Sequence, residues 1–470
     1  MAFSCHGREI VPLPALPDVL ALHRRAPARY PHLLVSASSG TPQGRFDILF
    51  AFPQGSLSLG PQGLIFDGLD EELRDLVTGD SFLAALDTWW HQAKTPPVVS
   101  ELPFTGGWFL FLGYELAAEV EPVLKLPPAT DGLPIATACR FPAAVIIDWH
   151  LREASIVVEQ EYRYLIENIQ RDIEALTGEV EAPEETVVVS EIREDDPQDH
   201  LDNIERVKRY IVDGDIFQAN LSRCWRATLK TGANDAALYA RLKQANPGPF
   251  SALATFPDGA IISSSPERLV SVRQGVVQTR PIAGTRPRSA EESLDAELSR
   301  ELIGHPKERA EHIMLIDLER NDLGRVCRPG TVKVDELMVL ESYRHVHHIV
   351  SNVQGELLPN VTPGDVIRAV FPGGTITGCP KVRCMEILAE LEQTGRGAYT
   401  GSLGYLNRDG SMDLNILIRT LVRNGSQLTF RAGGGIVADS QPQRELEETR
   451  AKARGLLMAL GVDVDRAPVQ

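Results

Sequence analysis

Glu445 and Glu448 stand three residues apart in the run Glu445-Leu-Glu-Glu448, and Lys452 follows four beyond the second. On a helix all three project from one face. Two carboxylates so placed can hold a divalent cation. Mg²⁺ is satisfied by one or two protein carboxylates plus water and substrate oxygens, so it fits this pair better than a metal that needs a closed protein cage. Taken alone, the same side chains would form a solvated, salt-bridged helix face. A second acidic segment, Lys307 to Asp322, carries an apolar helical stripe and offers Glu311 as a candidate third ligand.

The partners of such a cation would be anionic. Gly433, Gly434 and Gly435 follow a run of strand character, where missing side chains let backbone N–H groups approach an anion. In Phe371-Pro-Gly-Gly-Thr-Ile-Thr-Gly-Cys-Pro-Lys381, Gly378 and Pro380 sit where a loop would enter a helix whose N-terminus could face negative charge. Arg419 adds a fixed fork suited to a carboxylate. The histidines at 345, 347 and 348 have no companions at zinc spacing, which points to a structural or general-acid role.

These residues need a scaffold, and the 470-residue chain has material for a large core at 43% hydrophobic and 24% charged. The net charge of −17 excludes a general nucleic-acid binder and requires a local cationic pocket for any small anionic substrate. No apolar run approaches the ~20 residues that span a bilayer, and Met1-Ala-Phe-Ser-Cys-His lacks a leader pattern, so a cytoplasmic protein is expected. Six scattered cysteines indicate reduced thiols rather than a disulfide framework or zinc site.

Residues 1–178 read as a sheet-rich region, with strands at Arg45-Phe-Asp-Ile-Leu-Phe-Ala-Phe52 and Ala143-Ala-Val-Ile-Ile-Asp148. An acidic stretch over 179–197 reads as a surface linker, and 198–465 as the region that carries the chemistry. Within it, Leu201, Ile204, Val207 and Ile211 predict a helix closed by Gly214. Strands are expected at 216–222, 260–263, 276–279, 400–406, 414–422 and 428–432. Helices are expected at 294–321, 365–370, 381–391 and 442–460. Mixed elements without regular βαβ alternation favour an α+β layered fold.

In their order and intervals these motifs, with Ser265-Pro-Glu-Arg268 and Pro281-Ile-Ala-Gly-Thr-Arg286, resemble the chorismate-utilising enzymes. That group comprises anthranilate synthase component I, aminodeoxychorismate synthase component I, and the isochorismate and salicylate synthases. The match runs from about Asp199 to Leu460. It extends more loosely through Arg45-Phe-Asp-Ile, Leu102-Pro-Phe-Thr-Gly-Gly and Leu112-Gly-Tyr-Glu-Leu116. The resemblance implies one large fold of two packed, mainly antiparallel sheets with helices outside, in which the linker is an excursion. It implies Mg²⁺ held by Glu311, Glu445 and Glu448 against the ring carboxylate of chorismate. Gly284, Tyr405, Arg419, Gly433, Gly434, Gly435 and Lys452 match substrate-holding positions. Glu267 matches the acid that protonates the departing C4 hydroxyl, and His348 and Thr285 match residues beside the ring.

Gln218 stands where isochorismate and salicylate synthases carry a water-activating lysine, which implies ammonia as nucleophile. Ammonia would come from a glutamine amidotransferase on another chain. Ser-Pro-Glu-Arg268, Phe-Pro-Gly-Gly-Thr-Ile-Thr-Gly378 and Ala-Gly-Gly-Gly-Ile436 look like aminodeoxychorismate synthase. Val35 replaces the glutamate of the usual tryptophan-feedback motif, implying weakened tryptophan control. Ala283 instead follows the anthranilate synthase pattern, since many aminodeoxychorismate synthases carry a nucleophilic lysine there. C4 amination is the leading expectation, anthranilate formation the alternative, and a non-catalytic homologue the remote third.

Overall fold

In a computed structural model of the chain, the described residues are 3–5, 7–36, 44–97, 100–176, 189–230, 234–289, 291–343 and 346–462. Their strands form two large antiparallel sheets. The larger runs from Phe3–Cys5 through Arg8–Pro12, Glu153–Glu159, Ala143–Asp148, Phe46–Ala51 and His32–Val35 to Phe250–Thr255. It continues through Gly259–Ser265, Thr420–Asn424, Gln427–Ile436 and Gln218–Leu229 to Val189–Glu194. The second sheet joins Ile282–Pro287, Val346–Glu356, Val276–Thr279, Arg268–Arg273, Met412–Asn415 and Ser402–Asn407 to Gly107–Leu112 and the strands beyond it. Both sheets therefore mix strands from the two ends of the chain. His32–Val35 pairs with Phe250–Thr255, and Gly107–Leu112 with Ser402–Asn407.

Between the sheets Phe50, Phe104, Phe109, Phe111, Phe141, Ile261 and Leu403 are buried in one cluster. Each such side chain contributes roughly 1.5–3 kcal/mol by leaving water. Helices cover the outer faces. Leu456 and Leu457 of Pro442–Ala459 pack with Trp225 and Phe430 on one sheet, and Ile367 of Pro363–Val370 with Leu110 and Leu414 on the other. This is the expected α+β arrangement.

Most expected elements are present. Ala143–Asp148 and Val276–Thr279 match to the residue, and the helix Pro197–Val212 ends before Gly214 at φ +83. The long helix expected over 294–321 is two, Glu292–Gly304 and Pro306–Gly324, because Pro306 cannot continue the ladder of the first. The strand expected over 414–422 is also two, Met412–Asn415 and Thr420–Asn424, separated by Arg419 at φ +52. Within the acidic stretch, Val189–Glu194 is a strand paired with Gln218–Leu229, while 179–188 lie outside the described residues.

Candidate active site

Gly433, Gly434 and Gly435 lie inside the strand Gln427–Ile436 rather than in a turn after a strand. They pair with Ser222, Leu221 and Asn220. The N–H of Asn220 turns away to the Thr377 carbonyl at 2.9 Å, so Leu221 faces the glycine strand and exchanges with Gly434. By alternation, the N–H and C=O groups of Gly433 and Gly435 point to the opposite edge. The neighbour there, Thr420–Asn424, pairs only as far as Phe430. Lys452 occupies part of that edge, donating to the Gly433 carbonyl at 2.9 Å and pairing with Glu448 at 2.7 Å.

Glycine is required along this strand. A Cβ on Gly435 would lie 2.2 Å from Gln218 Nε2, and one on Gly433 would lie 2.8 Å from the Tyr399 hydroxyl. A Cβ on Gly434 would stand 3.4 Å from a Glu445 oxygen and 3.5 Å from a Glu448 oxygen, so both carboxylates converge on that residue. Gln218 is buried, and its amide oxygen has no hydrogen-bond partner among the described residues.

Glu267 sits in the link between Gly259–Ser265 and Arg268–Arg273, 5% exposed. Its backbone is held by the Ser265 hydroxyl at 3.2 Å and by the Ile416 N–H at 3.0 Å. Among the described residues the carboxyl receives only a long contact from the Ile282 N–H, 3.4 Å, and the Thr375 hydroxyl stands near it without completing a well-formed hydrogen bond. Burial pushes the carboxyl up to about 7 against the opposing pull of Lys452 and Arg419. Burial also lowers the pKa of Arg419, whose side chain makes no salt bridge among the described residues.

His348 shares a 2.9 Å hydrogen bond between Nδ1 and the Thr285 hydroxyl, and its buried Nε2 has no hydrogen-bond partner among the described residues. Burial, and then Arg419, lower its pKa to about 3. That shift favours the neutral imidazole near pH 7. His347 is structural, spanning Ser342 and Asp295, and His345 lies outside the described residues. Gly284 bulges the strand at φ +77, where a Cβ would meet a Glu308 oxygen at 2.8 Å.

Two expected members are placed differently. Tyr405 lines a separate cavity of about 340 Å³ with Trp90, Arg268 and Asp413, while Tyr399, passed over in the sequence, brings its hydroxyl to Gly433. Thr400 at φ +62 turns the chain between the two tyrosines and sends them to different places. Glu311 lies on Pro306–Gly324, and among the described residues no three His, Cys, Asp or Glu side chains lie close enough together to hold a metal. The Glu445–Glu448 pair is what the structure assembles.

Residues 51–458 match the family described as chorismate binding enzyme. The chain belongs to that family. Aminodeoxychorismate synthase component 1 of Salmonella typhimurium is 37% identical, over 96% of this chain and 98% of its own. Anthranilate synthase component I-like protein of Synechocystis is 44% identical, over 81% and 78%. Anthranilate synthase component I of Streptococcus pneumoniae superposes with TM-score 0.77 at 32% identity, covering 89% of this chain and 93% of that one. The fold is that of a chorismate-utilising enzyme.

For a chorismate-binding enzyme the donor set fits Mg²⁺. Two hard carboxylates converge beside an edge of open backbone donors, leaving further positions to water and substrate oxygens. No helix among the described residues is long and apolar enough to cross a membrane.

Proposed function

We propose that this chain aminates chorismate at C4, using ammonia from a separate glutamine amidotransferase chain, to give 4-amino-4-deoxychorismate for 4-aminobenzoate and folate synthesis. The observation that carries the reading is Glu267, a buried acid poised near 7 beside Arg419 and Lys452 and the open glycine edge. Arg419, Lys452, the Tyr399 hydroxyl and the Gly433 and Gly435 N–H groups would hold the substrate carboxylates. Glu445 and Glu448 would hold Mg²⁺, which when bound neutralises the ring carboxylate.

Glu267 donates its proton to the C4 hydroxyl as the C4–O bond breaks, so that water leaves rather than hydroxide. The Gln218 amide oxygen can accept an N–H of incoming ammonia and orient its lone pair. An amide is no base for water, which supports ammonia as nucleophile. The neutral Nε2 of His348 offers a hydrogen bond without adding charge. Relatives named component 1 support the partner chain.

Ala283 favours a second reading, in which ammonia adds at C2 and pyruvate is eliminated to give anthranilate. Its buried methyl group cannot be a nucleophile. Purified chain with chorismate, Mg²⁺ and ammonium, analysed by mass spectrometry with and without aminodeoxychorismate lyase, separates the two. A lyase-convertible product that keeps its enolpyruvyl group supports C4 amination; anthranilate plus pyruvate as the only products sinks it. Absence of Mg²⁺-dependent chorismate loss, or its persistence in Glu448→Ala, counts against the proposed chemistry and metal assignment respectively.

A further inference from the structure

Behind Glu267 lies a second buried acid. Glu319, on Pro306–Gly324, is 6% exposed and makes no ion pair among the described residues. One wall of its site is the turn Gly374–Ile376. A Cβ on Gly374 would lie 3.3 Å from Glu319 Oε1 and 2.5 Å from the Leu318 side chain, so the turn packs closely against both residues. The next residue of the turn, Thr375, stands at the Glu267 carboxyl. The other wall is Val276–Thr279, whose Thr279 hydroxyl is buried beside Glu319 without a completed hydrogen bond. Three residues further on, the Ile282 N–H points to Glu267. The two carboxyls thus share both walls.

The charged groups facing Glu319 are Asp322, Lys381 and Glu267. Lys381 is committed, with Nζ 2.6 Å from Asp322 Oδ2 and 3.3 Å from the Val370 carbonyl. Arg325 and Glu121 act on Asp322 in turn. Lys381 is held by Asp322, so among the described residues Glu319 has no cation paired to it. Burial first, and Asp322 second, push its pKa above the ordinary carboxylate range.

We propose that Glu319 is a proton-holding residue that acts through Glu267, keeping it in the acid form during turnover. The inference rests on the reading of Glu267 as general acid. When the C4–O bond breaks, the Glu267 proton leaves in water, and the new C–N bond leaves one proton to be shed by nitrogen. Glu267 is then a carboxylate where burial opposes charge. Glu319 returns a proton to Glu267 across the walls they share, where the Thr279 and Thr375 hydroxyls stand uncommitted among the described residues, and the proton shed by nitrogen restores Glu319. The count closes at one water formed per amine.

The test is the pH profile of kcat for chorismate consumption, whichever product forms, in Glu319→Gln and Glu319→Asp. The expected result is an alkaline limb that moves down by about one pH unit in Glu319→Gln, so that its loss grows to roughly tenfold at high pH, with recovery in Glu319→Asp. KM and the melting temperature stay with the parent. Profiles that superimpose would overturn the proposal, as would a pH-independent loss accompanied by a lower melting temperature. Thr279→Val provides a second variant and should move the same limb. If Glu267→Gln still consumes chorismate, the general-acid reading fails; if only Glu319→Gln is silent, the relay alone fails.

Discussion

Glu267 and Glu392 are both buried acids within the same fold, and their surroundings push their pKa values in opposite directions. Glu392 accepts from Arg396 at 2.7 and 2.9 Å, Arg431 at 3.0 Å, and the Ser222 N–H and hydroxyl at 2.9 and 2.8 Å. Burial alone would raise its pKa, but the two guanidiniums outweigh burial and lower it. Among the described residues Glu267 has one long N–H contact and no salt bridge, so burial wins there. Partner geometry, not depth, decides whether a buried carboxyl becomes a structural ion or a proton donor. The Glu392 network is also useful to the site, since Ser222 pairs with Gly433 and Arg396 holds the Asn220 carbonyl at 2.7 Å.

The largest effect that would break this contrast is on turnover. Glu267→Gln should lower kcat for chorismate consumption by roughly 10²–10⁴-fold, measured by loss of chorismate absorbance, with little change in fold. Glu392→Gln should instead cost about 3–5 kcal/mol of stability in urea unfolding, because it leaves two buried guanidiniums under-compensated. If each substitution produced the other's phenotype, the assignment of roles would be reversed.

Gly435→Ala tests the rigid strand that joins the two regions. Its Cβ would sit 2.2 Å from Gln218 Nε2, so the amide must move, at about 1–3 kcal/mol of strain. A loss in kcat/KM exceeding the loss in stability is the expected result, read from kinetics and melts on the same sample.

The smallest effect sharpens the comparison through pH. The native Glu267 pKa lies above the ordinary 4.5, so the folded state binds its proton more tightly and stability falls as pH rises from about 4.5 to 7. Glu267→Gln should therefore be more stable than the parent at pH 8, by ~1–3 kcal/mol, and nearly equal to it at pH 4. Glu392 has the reverse sign. Its lowered pKa contributes stability that is present above 4.5 and lost as pH falls through the native value. Denaturation curves at both pH values, in both variants, check the pair of signs.

Much of this was legible in the chain. Apolar runs such as Ala143–Asp148 and turn glycines such as Gly214 announced their elements because their information is local. The three glycines and the Glu445–Glu448 pair could be named because residue type and spacing carry their chemistry, and the acid in Ser265-Pro-Glu-Arg268 was named from its likeness to the family's motif. The left-handed residues Thr400 and Arg419 were not legible. Neither is glycine, and each is held at positive φ by its surroundings, so the chain breaks where propensity sees continuity. Tyr405 was matched to a substrate-holding position by resemblance, and Tyr399, one residue before the Thr400 turn, was missed.

The sequence by itself determined which side chains could bind an anion, hold a cation or give up a proton, since those capacities belong to the residue. Only the tertiary structure decided that Glu267 and Glu319 would face shared walls, that the Gly433 and Gly435 amides would meet an open edge, and that Glu392 would be ionised. Each of those depends on groups distant in the chain. Electrostatics in a buried site is set by distances the fold creates, and no local pattern encodes them.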